Sequence, residues 1–384
     1  MNFEFSAVTR ILFGPGTMRQ AGPLARDLGT RALVVTGATV ERAGPLLALL
    51  NSNGVSPIPF SLTGEPTVAI VVHGAQTARA EGCDLVVSFG GGSATDAGKA
   101  IAALMTNQGG VLDYLEIIGS ARPLERPPAP FMAIPTTAGA GAEVTRNAVL
   151  ASPEHKVKVS LRSARMAPRI ALVDPELTYG LPPALTATTG VDALTQVIEP
   201  YLSCKANPLT DALCSEGIRR AARSLRRAFD NGADKAARED MALAGLLGGL
   251  ALSNAGLGAV HGLAAPIGGM FSAPHGAVCA ALLPHVMEAN LIALHERARR
   301  SESLQRFDEV ARLLLGTQHA GAAEGIAWVE HLCAHLQVQP LRRYGIRPTD
   351  YPELIARAGQ ASSMKANPIP LTDRELQDIL GRAW

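Results

Sequence analysis

The sequence is poor in aromatic residues and in net charge, and the small net charge excludes a class of partner. Aromatic side chains make up 4% of the 384 residues, and 35 Lys and Arg against 34 Asp and Glu leave a net charge of +1. A protein that neutralises many phosphates carries a surplus of positive charge, so we expect no nucleic-acid partner. Hydrophobic residues make up 47% of the chain, which excludes an intrinsically disordered protein.

Cysteine is also scarce. The five cysteines are far apart, and no Cys-x-x-Cys pair occurs among them. A disulfide framework or a zinc site made of cysteines alone is therefore not expected, and a reducing compartment fits best. The first ten residues include an acidic side chain and no apolar segment of signal-peptide length, so we expect a cytoplasmic protein.

One long stretch lacks charge altogether. No Asp, Glu, Lys or Arg occurs between Met241 and Met287, although Pro266, Pro274 and three histidines interrupt the apolar residues. A membrane-spanning helix needs about 20 consecutive apolar residues, which this stretch does not supply. We expect helices buried on all sides, with polar residues at an internal site and no membrane partner.

The two halves of the chain differ in pattern. Before residue 181, short β-branched runs alternate with helix-like segments, which predicts a doubly wound α/β domain with a mostly parallel sheet over residues 1–181. After Pro182 and Pro183 the runs stop, and Ala, Leu and Arg recur at helical spacing. The sequence therefore predicts an all-α domain over residues 182–384. The predicted strands are 31–36, 84–89, 131–135 and 170–174.

A glycine-rich turn follows the second of these runs. Gly90, Gly91, Gly92 and Ser93 stand between a predicted strand and a predicted helix, where backbone N–H groups and the helix dipole bind phosphate. A plain tight turn is the alternative. The first strand is followed by Gly37 without the G-x-G-x-x-G pattern, so the common dinucleotide-binding type is disfavoured.

Metal-ligating side chains occur in the second half. Asp192 and Gln196 are four residues apart, which places them on one face of a helix. His261 and His275, each followed by glycine, lie in the uncharged stretch. One aspartate and two histidines can hold a divalent transition metal and leave positions open, although a single buried histidine is more often structural.

These motifs together resemble the iron-containing (group III) alcohol dehydrogenases, whose fold is shared with dehydroquinate synthase and glycerol dehydrogenase. The resemblance runs from Ile11 to Pro368 and rests on the order and spacing of its motifs. The motifs are GGGS at 90–93, PTTAG at 135–139, VDPEL at 173–177, GVDALTQ at 190–196, VHG at 260–262 and PHG at 274–276.

The resemblance implies a cofactor, a metal and a reaction. NAD or NADP is expected on the first domain, with the pyrophosphate on the glycine turn. A divalent metal, Fe²⁺ or Zn²⁺, is expected between the domains on Asp192, Gln196, His261 and His275, where it polarises the oxygen of an alcohol or carbonyl substrate. The implied cofactor contacts are Gly37, Gly90, Gly91, Gly92, Ser93, Asp96, Thr136, Thr137, Thr145, Lys158 and Leu177.

Three positions depart from the family's usual pattern. Gln196 stands where a metal-binding histidine is usual, which predicts weaker metal binding. Ala265 replaces a histidine that many members carry, which removes one candidate proton relay. Gly37 stands where NAD-preferring members often have aspartate, and Arg42 is close in sequence, so we expect that NADP is tolerated.

The expected function is metal-assisted, NAD(P)-dependent interconversion of an alcohol with an aldehyde or ketone. A small neutral substrate is favoured by the uncharged stretch, and a homodimer or higher homo-oligomer is expected. A maleylacetate reductase with little metal dependence is the main alternative. A lyase of the dehydroquinate-synthase kind is disfavoured, because no basic residues flank Asp192, His261 or His275. A binding protein that has lost catalysis also remains open.

Overall fold

The computed structural model describes residues 2–8 and 10–384, and their contacts form two compact units. The α/β unit comprises Ala7–Thr137 and Gly141–Thr178, and the helical unit comprises Tyr179–Trp384 with the short segments 2–6 and 138–140. The predicted domain limits, 1–181 and 182–384, remain a prediction. The contact units change at 178/179, and the two short segments could not be assigned from local sequence patterns, because they contact residues far along the chain.

The α/β unit is built on a six-stranded sheet in which every pairing is parallel. The strand order is β1-β8-β5-β4-β2-β3, and β6 and β7 form a separate antiparallel hairpin that the sequence did not predict. The predicted fold class is confirmed. The strands are β1 Arg10–Phe13, β2 Arg31–Thr36, β3 Ser56–Ser61, β4 Leu85–Gly90, β5 Phe131–Pro135, β6 Asn147–Ser152, β7 Val157–Arg162 and β8 Ile170–Val173.

Helices cover both faces of this sheet. Along β2, Leu33 and Val35 face one apolar cluster while Ala32 and Val34 face another. Both faces of the strand are therefore buried, which explains its continuous apolar sequence. The first cluster includes residues of α3 and α4, and the second includes residues of α1 and α2. These helices are α1 Ala21–Arg26, α2 Gly44–Ser52, α3 Val68–Ala80 and α4 Gly92–Thr106.

The sheet reverses its winding direction between β2 and β4. Strand β3 lies on one side of β2, and the chain then returns to place β4 on the other side. In open parallel sheets, ligands bind outside the carboxyl ends of the strands at such a reversal. The residues at this position are Gly37, directly after β2, and Gly90, at the end of β4.

The helical unit contains nine α-helices, and no strand occurs in its described residues. Asn207 and Asp234 cap the N-termini of the second and third of these helices with their side chains, which satisfies N–H groups that the helices leave free. The helices are α5 Pro183–Leu202, α6 Pro208–Asp230, α7 Lys235–Ala255, α8 Ala259–Met270, α9 His275–Arg297, α10 Glu302–Leu315, α11 Ala322–His335, α12 Tyr351–Ala358 and α13 Asp373–Arg382.

Helix α9 is long and apolar enough to cross a membrane by length and composition, and α7 and α8 pass the same test only as a pair bent by 98°. Within the protein, 72% of the apolar window of α9 is buried. A core helix has this property, in agreement with the expectation that the uncharged stretch is packed inside the protein.

Candidate metal centre and nucleotide site

Three helices of the helical unit bring four potential metal ligands together. Asp192 lies in the middle of α5, His261 near the start of α8, and His275 at the first position of α9 with Cys279 one turn later. One ligand atom from each residue lies within 4.8 Å of the other three. The structure thus unites three residues that the sequence predicted and adds a cysteine that it did not.

Glycines allow the helices to approach closely at this point. A Cβ on Gly276 would lie 2.5 Å from the Thr188 carbonyl oxygen of α5, so only glycine permits α9 to begin beside that helix. A Cβ on Gly258 would lie 2.8 Å from Glu199 Oε1, so a larger residue before α8 would displace that carboxylate. The glycine after His275 is therefore a packing requirement of the site.

The separations in the cluster match those of a metal coordination shell. His261 Nε2 lies 3.5 Å from Asp192 Oδ1, and His275 Nε2 lies 3.8 Å from the same oxygen. In a tetrahedral zinc site with bonds of about 2.1 Å, neighbouring nitrogen and oxygen ligands are about 3.4 Å apart. The three side chains consequently stand nearly in place for an ion.

Glu199 fixes the orientation of His261. Its Oε2 lies 2.7 Å from His261 Nδ1, and its Oε1 accepts a hydrogen bond from the Val260 N–H at 2.7 Å. With the proton on Nδ1, the imidazole donates to the carboxylate and directs Nε2 towards Asp192. A carboxylate behind a ligating histidine is the usual support for such a ligand. Glu199 was not among the site residues that the sequence predicted.

Two buried oxygens of the site lack partners. Asp192 is 4% exposed and Gln196 3% exposed, yet Asp192 Oδ1 and Gln196 Oε1 accept no hydrogen bond within the described part of the chain. Buried oxygens without a partner are costly. A cation bonded to oxygen and nitrogen atoms removes this cost, so the residues present fit a divalent metal. No contact between Gln196 and the histidines is evident, and its role as a ligand stays a prediction.

The electrostatics of the cluster favour charged forms. Burial raises the pKa of Asp192, but the neighbouring imidazoles of His261 and His275 bring it below its ordinary value. Burial also raises the pKa of Cys279, whereas the charges of His275 and His261 lower it below the ordinary value. The site therefore stabilises a carboxylate and a thiolate, the forms in which these groups bind metals.

The glycine turn of the α/β unit has the geometry of an anion-binding site. Strand β4 ends at Gly90, and α4 begins at Gly92 with Gly91 as its N-cap residue. The first N–H groups of a helix have no partner inside it and are free for a ligand. A Cβ on Gly90 would lie 2.6 Å from that of Ala94, so glycine is required here. Ser93 lies within the first turn and does not cap the helix.

The neighbouring predicted contacts surround this turn. Thr136 donates its N–H to the Gly90 carbonyl at 2.9 Å, and Thr137 Oγ1 would lie 3.2 Å from a Cβ on Gly91. A Cβ on Gly37 would meet none of the described atoms within 4 Å, so space is open beside it. The three glycine positions thus lie at the reversal point of the sheet, and the two threonines lie next to it.

Other predicted cofactor residues have structural partners. Asp96 Oδ1 lies 2.9 Å from Lys99 Nζ, and its Oδ2 accepts the Val149 N–H at 3.0 Å. Thr145 Oγ1 accepts from Lys99 at 2.7 Å. Contact of these residues with a cofactor stays a prediction.

Lys158 and Leu177 are the remaining predicted contacts. Lys158 pairs with Glu65 at 2.5 Å, although its side chain is almost fully buried. Leu177 packs against the apolar cluster under α1 and α2. Both residues lie in the α/β unit, and their predicted roles are likewise untested.

Solved structures and curated relatives resemble the whole chain. A crystal structure of 1,3-propanediol oxidoreductase has a TM-score of 0.92 and 35% identity, and all of both chains is covered. The 1,3-propanediol dehydrogenase of Klebsiella pneumoniae is 37% identical, over 100% of this chain and 99% of its own length. Alcohol dehydrogenase 4 of Schizosaccharomyces pombe is 35% identical, over 97% of this chain and 87% of its own length. The fold and these likenesses define an alcohol–aldehyde oxidoreductase.

Family models agree over nearly the full length. The model for iron-containing alcohol dehydrogenase matches residues 8–175, and the model for the C-terminal part of the same family matches residues 186–384. The chain belongs to the iron-containing alcohol dehydrogenase family, as the sequence motifs indicated.

Proposed function

We propose that this protein is a metal-dependent, NAD(P)-linked alcohol dehydrogenase that acts in the cytoplasm as a homodimer or higher homo-oligomer. The observation that carries the metal dependence is the cluster of the buried Asp192 and His261 with the partly exposed His275, in which Asp192 Oδ1 lies 3.5 and 3.8 Å from the two imidazole nitrogens. A core histidine with only a structural role has no need of a second imidazole and an unpartnered carboxylate oxygen beside it.

The residues of the helical unit hold and orient the metal ligands. Asp192, His261, His275 and Gln196 are the proposed ligands, and Glu199 holds the imidazole of His261 in one tautomer. A bound divalent cation supplies Lewis-acid polarisation of the substrate oxygen. The helices exclude water from most of the cluster, because Asp192 and His261 are 4% and 7% exposed. Charge stabilisation is stronger in such a site than in water.

The α/β unit supplies the cofactor site. The first-turn N–H groups of α4 bind the pyrophosphate, and Gly37 leaves the region next to the ribose open. No carboxylate stands at position 37 to repel a 2′-phosphate, so both NAD and NADP are accepted. Thr136 and Thr137 line the same turn.

The substrate is a small, neutral alcohol or the corresponding aldehyde. Residues 241–287, which include two of the proposed ligands, contain no charged Asp, Glu, Lys or Arg side chain to bind a substrate carboxylate. Two of the relatives are named as an alcohol dehydrogenase and a 1,3-propanediol dehydrogenase, and these names agree with a small neutral substrate.

A substrate panel with controlled metal content tests the proposal. Protein is stripped with a chelator, reloaded with Fe²⁺ or Zn²⁺, and assayed for NAD(P)H oxidation with short aldehydes and with maleylacetate. We expect turnover of aldehydes only after reloading. Equal rates with stripped protein, or turnover of maleylacetate alone, would reject metal-dependent alcohol chemistry in favour of an oxo-acid reductase. The absence of steady-state turnover with every substrate would leave a binding protein.

A further inference from the structure

We propose that Cys279 is a direct ligand of the metal centre and that its thiolate matches the site to zinc. This inference deepens the proposed function and rests on it in one respect, that a divalent metal occupies the cluster. Neither the sequence motifs nor the family matches assign a role to this cysteine.

The position of the sulfur fits a coordination shell. Cys279 Sγ lies 3.6 Å from His275 Nε2 and 3.9 Å from His261 Nε2. A zinc ion with a sulfur at about 2.3 Å and a nitrogen at about 2.1 Å in tetrahedral geometry separates these ligands by about 3.6 Å. The thiol therefore stands at the distance from both imidazoles that a shared ion requires.

The helix geometry explains why the cysteine is there. His275 and Cys279 are four residues apart on α9, so their side chains leave the same face of the helix. Other cysteines of the helical unit have different surroundings: the sulfurs of Cys204 and Cys333 lie 3.6 Å from backbone carbonyl oxygens. Cys279 is fully buried with its sulfur next to two ring nitrogens.

An independent observation indicates that a cation binds at the centre of the cluster. Asp192 Oδ1 is buried and accepts no hydrogen bond from the described residues, although it belongs to the same group of four atoms. A hydrogen-bonded cluster without a metal function would leave fewer such oxygens unpartnered. A cation at the centre bonds to this oxygen, both imidazoles and the thiolate at once.

The chemistry of the ligands favours zinc. Gln196 offers an amide oxygen where the family usually has imidazole, and such an oxygen is a hard, weak donor. A thiolate is a soft donor that favours zinc over harder cations. On binding, the thiol loses its proton to solvent as the sulfur–metal bond forms. Catalytic zinc can expand to five ligands, so Asp192, His261, His275 and Cys279 leave one position for the substrate oxygen when Cys279 takes the place of Gln196 as the fourth protein ligand.

X-ray absorption at the zinc edge tests the ligand directly. On the zinc-loaded native chain we expect one sulfur scatterer at about 2.3 Å beside nitrogen and oxygen scatterers at about 2.1 Å. The sulfur scatterer should vanish in Cys279→Ser, and zinc affinity should fall by at least roughly the 10–100-fold that the loss of an outer-sphere partner costs. Cys214→Ser, at a buried cysteine on α6, should retain the sulfur scatterer and the zinc affinity.

The outcomes separate this inference from the proposed function. A native spectrum with nitrogen and oxygen only, or no zinc binding, overturns the cysteine ligand even if Cys279→Ser fails to fold. Cobalt-loaded protein gives a second readout, since a thiolate ligand adds a sulfur-to-cobalt absorption band in the near ultraviolet that Cys279→Ala should remove. Metal-dependent alcohol oxidation without a sulfur scatterer supports the proposed function and rejects Cys279 as a ligand. A sulfur scatterer without turnover supports Cys279 as a ligand and rejects the proposed function.

Discussion

The two units of the molecule build their sites in different ways. In the α/β unit, the candidate phosphate site is a single turn, Gly90–Gly92, whose chemistry comes from backbone N–H groups at the start of α4. In the helical unit, the candidate metal site takes its ligands from α5, α8 and α9. Asp192 and His275 are 83 positions apart in the sequence. The first site depends on backbone conformation and the second on side-chain chemistry.

This difference predicts how each site responds to mutation. A backbone site tolerates changes in side chains that leave its glycines in place, whereas a side-chain site fails when one ligand is altered. The following four substitutions probe the two units and their sites, from the largest expected effect to the smallest.

Asp192→Asn is expected to have the largest effect. The variant keeps the shape of the side chain and removes the charge that holds the cation. Lewis-acid polarisation is worth several kcal/mol, so kcat/KM should fall by about a thousandfold together with the bound metal. Asp240→Asn is the matched control, because that buried carboxylate is held by Arg223 and Ser224 away from the cluster. The metal content of Asp240→Asn should not change. Equal metal loss in both variants would contradict the assignment of Asp192 as a metal ligand.

Glu143→Gln should stabilise the α/β unit at neutral pH. Burial raises the pKa of Glu143 from 4.5 to about 7. Since the unfolded chain ionises first, the native protein loses stability as the pH rises from about 4.5 to about 7, by about 3 kcal/mol in all. The advantage of the variant in Tm should therefore be small near pH 4 and large near pH 8. The exposed Glu154→Gln serves as control, and a pH-independent difference for Glu143→Gln would contradict the argument.

Glu199→Gln should weaken the metal site without abolishing it. The amide replaces one oxygen of the carboxylate that holds His261, and loss of such a partner costs about 10–100-fold in metal affinity. Metal titration gives this value directly. Tyr201, on the same helix as Glu199, donates a hydrogen bond to Glu309 of α10. Tyr201→Phe removes this bond and should leave metal affinity unchanged. Matching losses in the two variants would point to helix packing and away from ligand orientation.

Gly37→Asp should alter cofactor choice by about tenfold, a difference of about 1.4 kcal/mol. The new side chain has room, because a Cβ at this position meets no described atom within 4 Å. Its charge repels a 2′-phosphate and accepts a hydrogen bond from a ribose hydroxyl. The ratio of kcat/KM for NAD and NADP measures the shift. Gly37→Asn, without the charge, should change the ratio much less. An equal change in both variants would show that the size of the side chain, and not its charge, sets the cofactor preference.

The sequence predicted the α/β unit well for a physical reason. Parallel strands covered on both faces, such as β2 and β4, are continuous apolar runs, and the glycine turn lies within a few residues of a strand end. The hairpin of β6 and β7 was missed, because its strands are half-buried and show weaker patterns. Apolar runs and glycine turns can be recognised from neighbouring residues alone, without knowledge of distant contacts.

The helical unit was harder to predict. Asp192, His261 and His275 stood out through their motifs, but nothing in sequence spacing placed them together without the family resemblance. Cys279 was not among the metal ligands that the sequence predicted, although its spacing of four from His275 on a helix was a usable signal. That spacing gains meaning only when α5 and α8 are seen to pack against the same face.

Metal content measured beside activity tests the central claim most directly. Protein purified without chelators is analysed for bound metals, stripped, and reloaded in steps while NAD(P)H-dependent aldehyde reduction is followed. The account predicts one divalent ion per chain at full activity and a rate that rises in proportion to the bound ion. A metal-free chain that turns over aldehydes at the full rate would contradict it.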